Sequence, residues 1–276
     1  MKRDIPETAM ADVLLQLRQL GISYGPGASG GRHWILRDLD LSVREGEFVT
    51  VMGSSGAGKS TLLNLVAQTL QPSAGQIAFR GEVVGGADMR PNPGSSRQIG
   101  YVTQDDNLLP WRTVWDNVMF PLTLAGKPSP LEVDRARHLI DRVGLSQWTQ
   151  HFPHQLSGGM RKRASLARTL AYNPPVVLMD EPFGALDAET RAQLQSDLLV
   201  LWASERKTIL FVTHDINEAI ALGDRIIVLS GSPGRIVLER CIDIDRPRDP
   251  ELIFKAPTFA GHYDAVRDCL RSACQP

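Results

Sequence analysis

Residues 47–60 read EFVTVMGSSGAGKS: a short apolar run, then the glycine-rich loop GSSGAGKS at 53–60. A helical pattern follows from Lys59 to about Thr69. Strand, glycine loop and helix in that order are the context a phosphate-binding loop requires, and Gly53 to Ser60 fits GxxxxGK[ST] completely. Glycines at 53, 56 and 58 let the backbone N–H groups of Ser54, Ser55, Ala57 and their neighbours wrap a phosphate chain. Lys59 reaches the β and γ oxygens, and the Ser60 hydroxyl, beside Thr61, can ligate Mg²⁺. The expected ligand is a nucleoside triphosphate with Mg²⁺.

A second run has the same chemistry. QLSGGMRKR (155–163) puts Ser157, Gly158 and Gly159 directly before a helical pattern rich in positive charge. Free N–H groups at a helix N-terminus suit an anion. A third signal is VVLMDE (176–181), an apolar strand ending in two carboxylates. In open α/β sheets ligands bind beyond the carboxyl ends of the strands. Asp180 is therefore expected to hold Mg²⁺ through its water shell, and Glu181 to orient and polarise an attacking water.

The 276 residues suffice for one large domain, and 42% hydrophobic with 22% charged residues is an ordinary globular composition. A net charge of -1 provides no basic field for nucleic acid, so no nucleic-acid partner is expected. Runs such as VVLM and IIVL are too short to span a bilayer, and MKRDIPETAM lacks the apolar core of a secretory signal. Cys241, Cys269 and Cys274 form no CxxC pair and read as free thiols of a cytoplasmic protein. Residues 1–11 read as a frayed leader. GPGASGG (25–31) matches a dinucleotide fingerprint, but strand-like sequence follows it, so a long hairpin loop is expected instead. Strands are expected at VLLQLRQL, LRDLDLSVR, QIAFR, IGYVT, PVVLMD, TILFVT and DRIIVL. Helices are expected near 113–125, 131–143 and 158–172, and after Glu189 to about Glu205. The region between Gln104 and Pro175 thus reads as a helical subdomain inserted into an α/β core.

P-loop, LSGGM and VVLMDEPFGALD in that order resemble the ATPase subunit of an ABC transporter, over nearly the whole chain. The resemblance implies a P-loop NTPase core of mixed sheet and flanking helices, with an antiparallel β subdomain, over residues 12–240. The helical insert would span about 105–174, and a short tail 241–276. It implies that Gln104, after IGYVT, contacts Mg²⁺ and water, although Val102-Thr103 before it departs from the family's usual hydrophobic pair. It further implies that Asp187 serves communication between two sites, that His214 contacts the γ-phosphate, and that Tyr24 stacks on adenine. The loop after Tyr24 is longer than the family usually has, so a core tyrosine is the alternative there.

QDDNLLPWRTVWDNVMFPL (104–122), RPRDP and FAGHYDAVRDCL are similar to segments of the nitrate, sulfonate and taurine importers. That group implies a homodimer of ATPase subunits on the cytoplasmic face of the membrane. Two transmembrane permease subunits and an external solute-binding protein would complete it. Leu108, Leu109, Trp111 and Val114 would floor a groove for a permease helix; the alternative is that Trp111 and its neighbours are subdomain core. An exporter subunit, a soluble ABC ATPase acting on DNA or ribosomes, and a non-enzymatic clamp are the rival functions. About fifty residues between Gln104 and LSGGM leave no room for a long coiled coil, and Glu181 is intact. About 36 residues follow Arg240, too few for a regulatory domain of the maltose-importer kind.

Overall fold

The computed structural model describes residues 12–26, 32–87, 89, 98–124, 126–184 and 186–272. The expected leader (1–11), most of the expected hairpin loop (27–31) and Cys274 lie outside them. Strands β1 (Val13–Pro26) and β2 (Arg32–Arg44) pair antiparallel, with Tyr24 opposite His33 and Pro26 opposite Arg32. The glycine-rich segment therefore joins two strands of one hairpin, and no helix follows it as a dinucleotide site would need. β4 (Ala74–Phe79) and β5 (Glu82–Gly86) complete a four-stranded antiparallel sheet in the order β2-β1-β4-β5. β5 is not among the strands expected from the sequence. Its signal is the two-residue turn at Arg80 and Gly81, whose φ values of 48° and 83° are those of a type I′ hairpin.

The second sheet has the order β10-β9-β3-β8-β7-β6. β3 (Phe48–Gly53), β6 (Ile99–Val102), β7 (Val176–Asp180), β8 (Thr208–Val212) and β9 (Arg225–Ser230) are all parallel. β10 (Arg235–Cys241), also unanticipated, adds an antiparallel edge. The inner strands β3, β7, β8 and β9 are covered on both faces and are mostly apolar, as buried parallel strands are. Val49, Val51, Leu178, Leu210 and Val212 face a core shared with the antiparallel sheet and α1 (Lys59–Val66). Alternate residues Phe48, Val177, Met179, Ile209 and Phe211 face the helical side. There Phe48 lies 6.0 Å edge-on from Trp202 and 5.8 Å from Phe211.

α1 stops at Val66, short of the expected Thr69. Gln68 adopts a left-handed φ of 59°, while the N–H groups of Thr69 and Leu70 turn back to the Asn64 carbonyl. The helical insert contains α2 (Val114–Leu124), α3 (Pro130–Arg142) and α4 (Gly158–Ala171), each within two residues of expectation. Ser129 and Glu132 form a capping box on α3, with Pro130 as its first residue. α5 (Ala188–Glu205) follows, then the unanticipated α6 (Ile216–Leu222) and α7 (Phe259–Ser272).

The tail lies against the sheet. Ile242, Ile253 and Val266 join Met52, Ile226, Val228 and α6 in a third apolar cluster. Arg248, buried, donates to the carbonyls of Ile220, Gly223, Ile242 and Ile244, and Arg246 stacks 4.1 Å over Trp202. Burial holds the Arg248 guanidinium down to about 10. Cys241 and Cys269 are free, as expected.

One buried polar network joins α5, β8 and α6. Glu218 is 7% exposed and accepts from the Gln195 amide at 2.8 Å and from the Thr213 hydroxyl. Burial raises its carboxyl above the ordinary value, against the lowering effect of those two hydrogen bonds. A folded-state pKa above the unfolded one gives stability that is complete below about 4.5 and is lost as pH rises through the folded value. Glu218→Gln has no such titration. The stability of Glu218→Gln relative to the parent, measured by thermal unfolding, should shift in the variant's favour between pH 4.5 and 8. A difference independent of pH would contradict this.

Candidate active site

Because β3, β8, β7 and β6 are adjacent and parallel, their carboxyl ends lie along one edge of the sheet. Each end leads into a residue singled out from the sequence. β3 runs into the loop 53–60, β7 ends on Asp180 and Glu181, β8 leads to His214, and β6 to Gln104. The topology sets all four along that edge.

The loop after β3 is shaped by its glycines, where a side chain would be strained or would clash. A Cβ on Gly53 would lie 2.4 Å from the Leu229 carbonyl, and one on Gly58 2.5 Å from the Leu36 side chain. Gly56 and Gly58 have φ of 82° and 88°, and Gly58 caps α1. Lys59 Nζ donates across the loop to the carbonyls of Gly53 and Ser54 at 2.9 and 3.2 Å. Leu36 and Ile35 of β2 touch Gly58, and Tyr24 pairs with β2 two residues from Ile35. Tyr24 is 51% exposed, so the core alternative falls.

Asp180 hydrogen-bonds the Ser60 side chain. Burial raises its carboxyl, as does Glu181 beside it, while Ser60 and Lys59 pull it back. A hydroxyl, a carboxylate and the exposed amide of Gln104 are hard oxygen donors, which suit Mg²⁺. Glu181 sits at a left-handed φ of 43°, its N–H donating to the Val212 carbonyl. Such backbone strain costs about 1–3 kcal/mol and gathers at functional sites. Its Oε2 lies 3.0 Å from Nδ1 of the exposed His214. Thr213, immediately before His214, is the residue held by buried Glu218.

Ser157, Gly158, Gly159 and Asp187 are arranged differently. α1 packs on β2, β3, β7 and β8, whereas α4 packs on α2, α3, α5 and β6. Ser157 caps α4, its side chain accepting from Met160 N, and Asp187 caps α5 by accepting from Thr190 N at 2.9 Å. Those Thr190 bonds hold the Asp187 carboxyl below the usual range. Both caps are exposed. Ser157 and Gly159 line a cleft of about 490 Å³ with Arg163, Thr190, Gln193 and Glu251.

The positive charges following Ser157 do not point at a phosphate. Arg161 pairs with Asp106 at 2.9 Å, Arg163 with Asp197 at 2.9 Å, and Arg168 donates to the carbonyls of Asp106 and Asn107. Lys162 is buried and donates to the carbonyls of Thr103 and Gln104 at 2.8 and 2.6 Å. Burial lowers its ammonium to about 8, against the pull of Asp106 and Asp105.

The expected apolar floor is also corrected. Val114 and Leu108 are buried in the core of the insert, and Leu109 is half-buried. Trp111 is 71% exposed. Fully buried Asn117, unremarked in the sequence, accepts from Leu109 N and donates to the carbonyls of Leu109, Arg112 and Thr113, so it builds the turn that presents Trp111.

Comparison with known proteins agrees with this geometry. The chain matches the ABC transporter family over residues 36–184. An uncharacterized ABC transporter ATP-binding protein of Methanocaldococcus jannaschii is 48% identical over 221 residues, 80% of either chain. A taurine import ATP-binding protein of Yersinia pestis is 46% identical over 246 residues, 85% of this chain and 93% of the other. The ATP-binding cassette MJ0796, solved as a post-hydrolysis dimer bound to ADP and Pi, aligns with a TM-score of 0.71. That alignment has 34% identity and covers 84% of this chain and 100% of the other. A loop built for a triphosphate, found in a chain with such relatives, has one assignment: the protein belongs to the ABC transporter family, as an ATP-binding subunit that hydrolyses ATP.

Proposed function

We propose that this chain powers an importer of nitrate, a sulfonate, taurine or a similar small solute. The observation that carries this reading is the 46% identity to a taurine import subunit across 85% of the chain. Taurine is itself an aminosulfonate. Two copies work as a homodimer on the cytoplasmic face of the membrane, beneath two permease subunits fed by an external solute-binding protein. Among the described residues no helix is long and apolar enough to cross a membrane, which fits a peripheral subunit.

In this reading Lys59 and the loop amides hold the β and γ phosphates, and Tyr24 stacks on adenine. Ser60, Asp180 and Gln104 hold Mg²⁺, which supplies neutralisation of charge on the phosphate oxygens. Glu181 orients the attacking water, and His214, 3.0 Å from Glu181, steadies that carboxylate and approaches the γ-phosphate. Ser157 and Gly159 serve the ATP of the other copy, and Asp187 lies between the two sites. The mounting of the two phosphate cradles on different elements supports this, as does the dimeric state of the similar cassette. Arranged head to tail, each copy completes the other's site in a two-fold interface.

Glu181→Gln should retain ATP affinity, lose turnover by about 10²-fold or more, and accumulate an ATP-bound dimer on size-exclusion chromatography. Near-normal hydrolysis would remove Glu181 from this role. The shared site is tested in a protein with Cys241, Cys269 and Cys274 replaced and cysteines introduced at Ser54 and Ser157. Oxidation with ATP under non-hydrolysing conditions should give a covalent dimer, and crosslinking indifferent to ATP would refute the shared site. Trp111→Ala should weaken assembly with the permease by about 2 kcal/mol, roughly thirtyfold, in a co-purification titration, while the isolated subunit keeps its basal hydrolysis. An unchanged titration would move the docking site elsewhere.

A further inference from the structure

β6 is an edge strand whose ladder ends where Val102 pairs with Met179. The carbonyls of Thr103 and Gln104 lie beyond it, so the sheet does not fix them. What does is α4. Lys162, Ser165 and Thr169 form a buried polar stripe at helical spacing, on the helix that packs on β6. Lys162, 4% exposed, gives hydrogen bonds at 2.8 and 2.6 Å to those two carbonyls. Arg161 and Arg168 secure the next residues, Asp106 and Asn107. Within the loop, Thr103 donates to the Asp105 carbonyl and Asn107 donates to Thr103. The side chain of Gln104 is exposed, so its placement depends on how its backbone is held.

We propose that Lys162 is the positioning residue for Gln104, holding its peptide through the carbonyls of residues 103 and 104 so that the amide meets the metal. This rests on the reading of Gln104 as a magnesium ligand. A partner that orients a metal ligand commonly matters 10–100-fold in metal affinity. The same bonds make the Gln104 loop travel with the helix that Ser157 caps.

The test uses the full chain carrying Glu181→Gln, bound to ATP, with Mn²⁺ as the metal probe read by electron paramagnetic resonance. Gln104→Ala and Lys162→Met should each weaken Mn²⁺ about tenfold, and the double variant should be no weaker than either. Lys162→Gln, whose amide keeps two N–H donors, should restore most of the affinity. Losses that multiply in the double variant overturn the proposal, because Lys162 would then act on something other than Gln104. An independent readout is amide exchange over residues 103–107 without nucleotide. It should rise about tenfold in Lys162→Met but not in Lys162→Gln. If Gln104→Ala leaves Mn²⁺ affinity unchanged, the ligand reading of Gln104 fails. Exchange then decides Lys162 alone: loosening confined to 103–107 supports it, and none overturns it. Should Lys162→Met not fold, Lys162→Thr, polar but too short to reach either carbonyl, replaces it in both measurements, and unchanged exchange at 103–107 in that folded variant overturns the proposal.

Discussion

The parallel alignment of β3, β8, β7 and β6 is the constraint on which the chemistry depends. A parallel strand ends at the same edge as its neighbours, so residues distant in sequence arrive side by side without any loop having to reach. Lys59, Asp180, Glu181, His214 and Gln104 are all delivered in this way. The strands can be parallel only because helices cover one face and the antiparallel sheet with α1 the other. Packing and catalysis are thus one requirement: Leu210 and Val212 face one core and Ile209 and Phe211 the other, and the turn after Val212 carries His214.

Three buried charged or ionisable side chains are held by hydrogen bonds to the interior. Lys162, Arg248 and Glu218 are buried ionisable groups, and each is surrounded by hydrogen-bond partners. Removing a partner from such a group leaves a charge or a carbonyl without compensation. These three sites are therefore stiff points. They join the helical insert to β6, the tail to α6, and α5 to the strand end bearing His214.

Local patterns were legible in the sequence wherever one segment carried the whole signal. The loop 53–60 has its glycines, lysine and serine in eight consecutive positions, and the strands ending at Asp180 and Val212 are short apolar runs of buried type. α6 has only seven residues, and no residue of β10 is fully buried, its positions mixing exposed and half-buried without regular alternation, so neither shows a clear periodicity. The Gln104 loop illustrates the deeper limit. RKR reads as positive charge beside an anion site, and only the fold shows Lys162 turned inward to backbone carbonyls. Leu108, Leu109, Trp111 and Val114 are similarly apolar in the sequence, yet Val114 is buried and Trp111 exposed, because Asn117 turns the chain between them. Hydrogen bonds to carbonyls leave no mark on residue type at the accepting end, so they are invisible until the fold is known.

The strand order also governs how the chain matures. β3 lies at the centre of its sheet, yet its neighbours β8 and β9 are encoded about 160 to 180 residues later, with Phe48 opposite Ile209 and Val49 opposite Arg225. Pairings so distant in sequence are slow to form, and the loop-closure cost precedes any reward. During synthesis the apolar strand 48–53 has no sheet neighbour until 208–212 has left the ribosome, and lacks its second until 225–230 follows. The nucleotide pocket is therefore among the last features to assemble, and a truncated chain ending before residue 208 lacks both strands that flank β3.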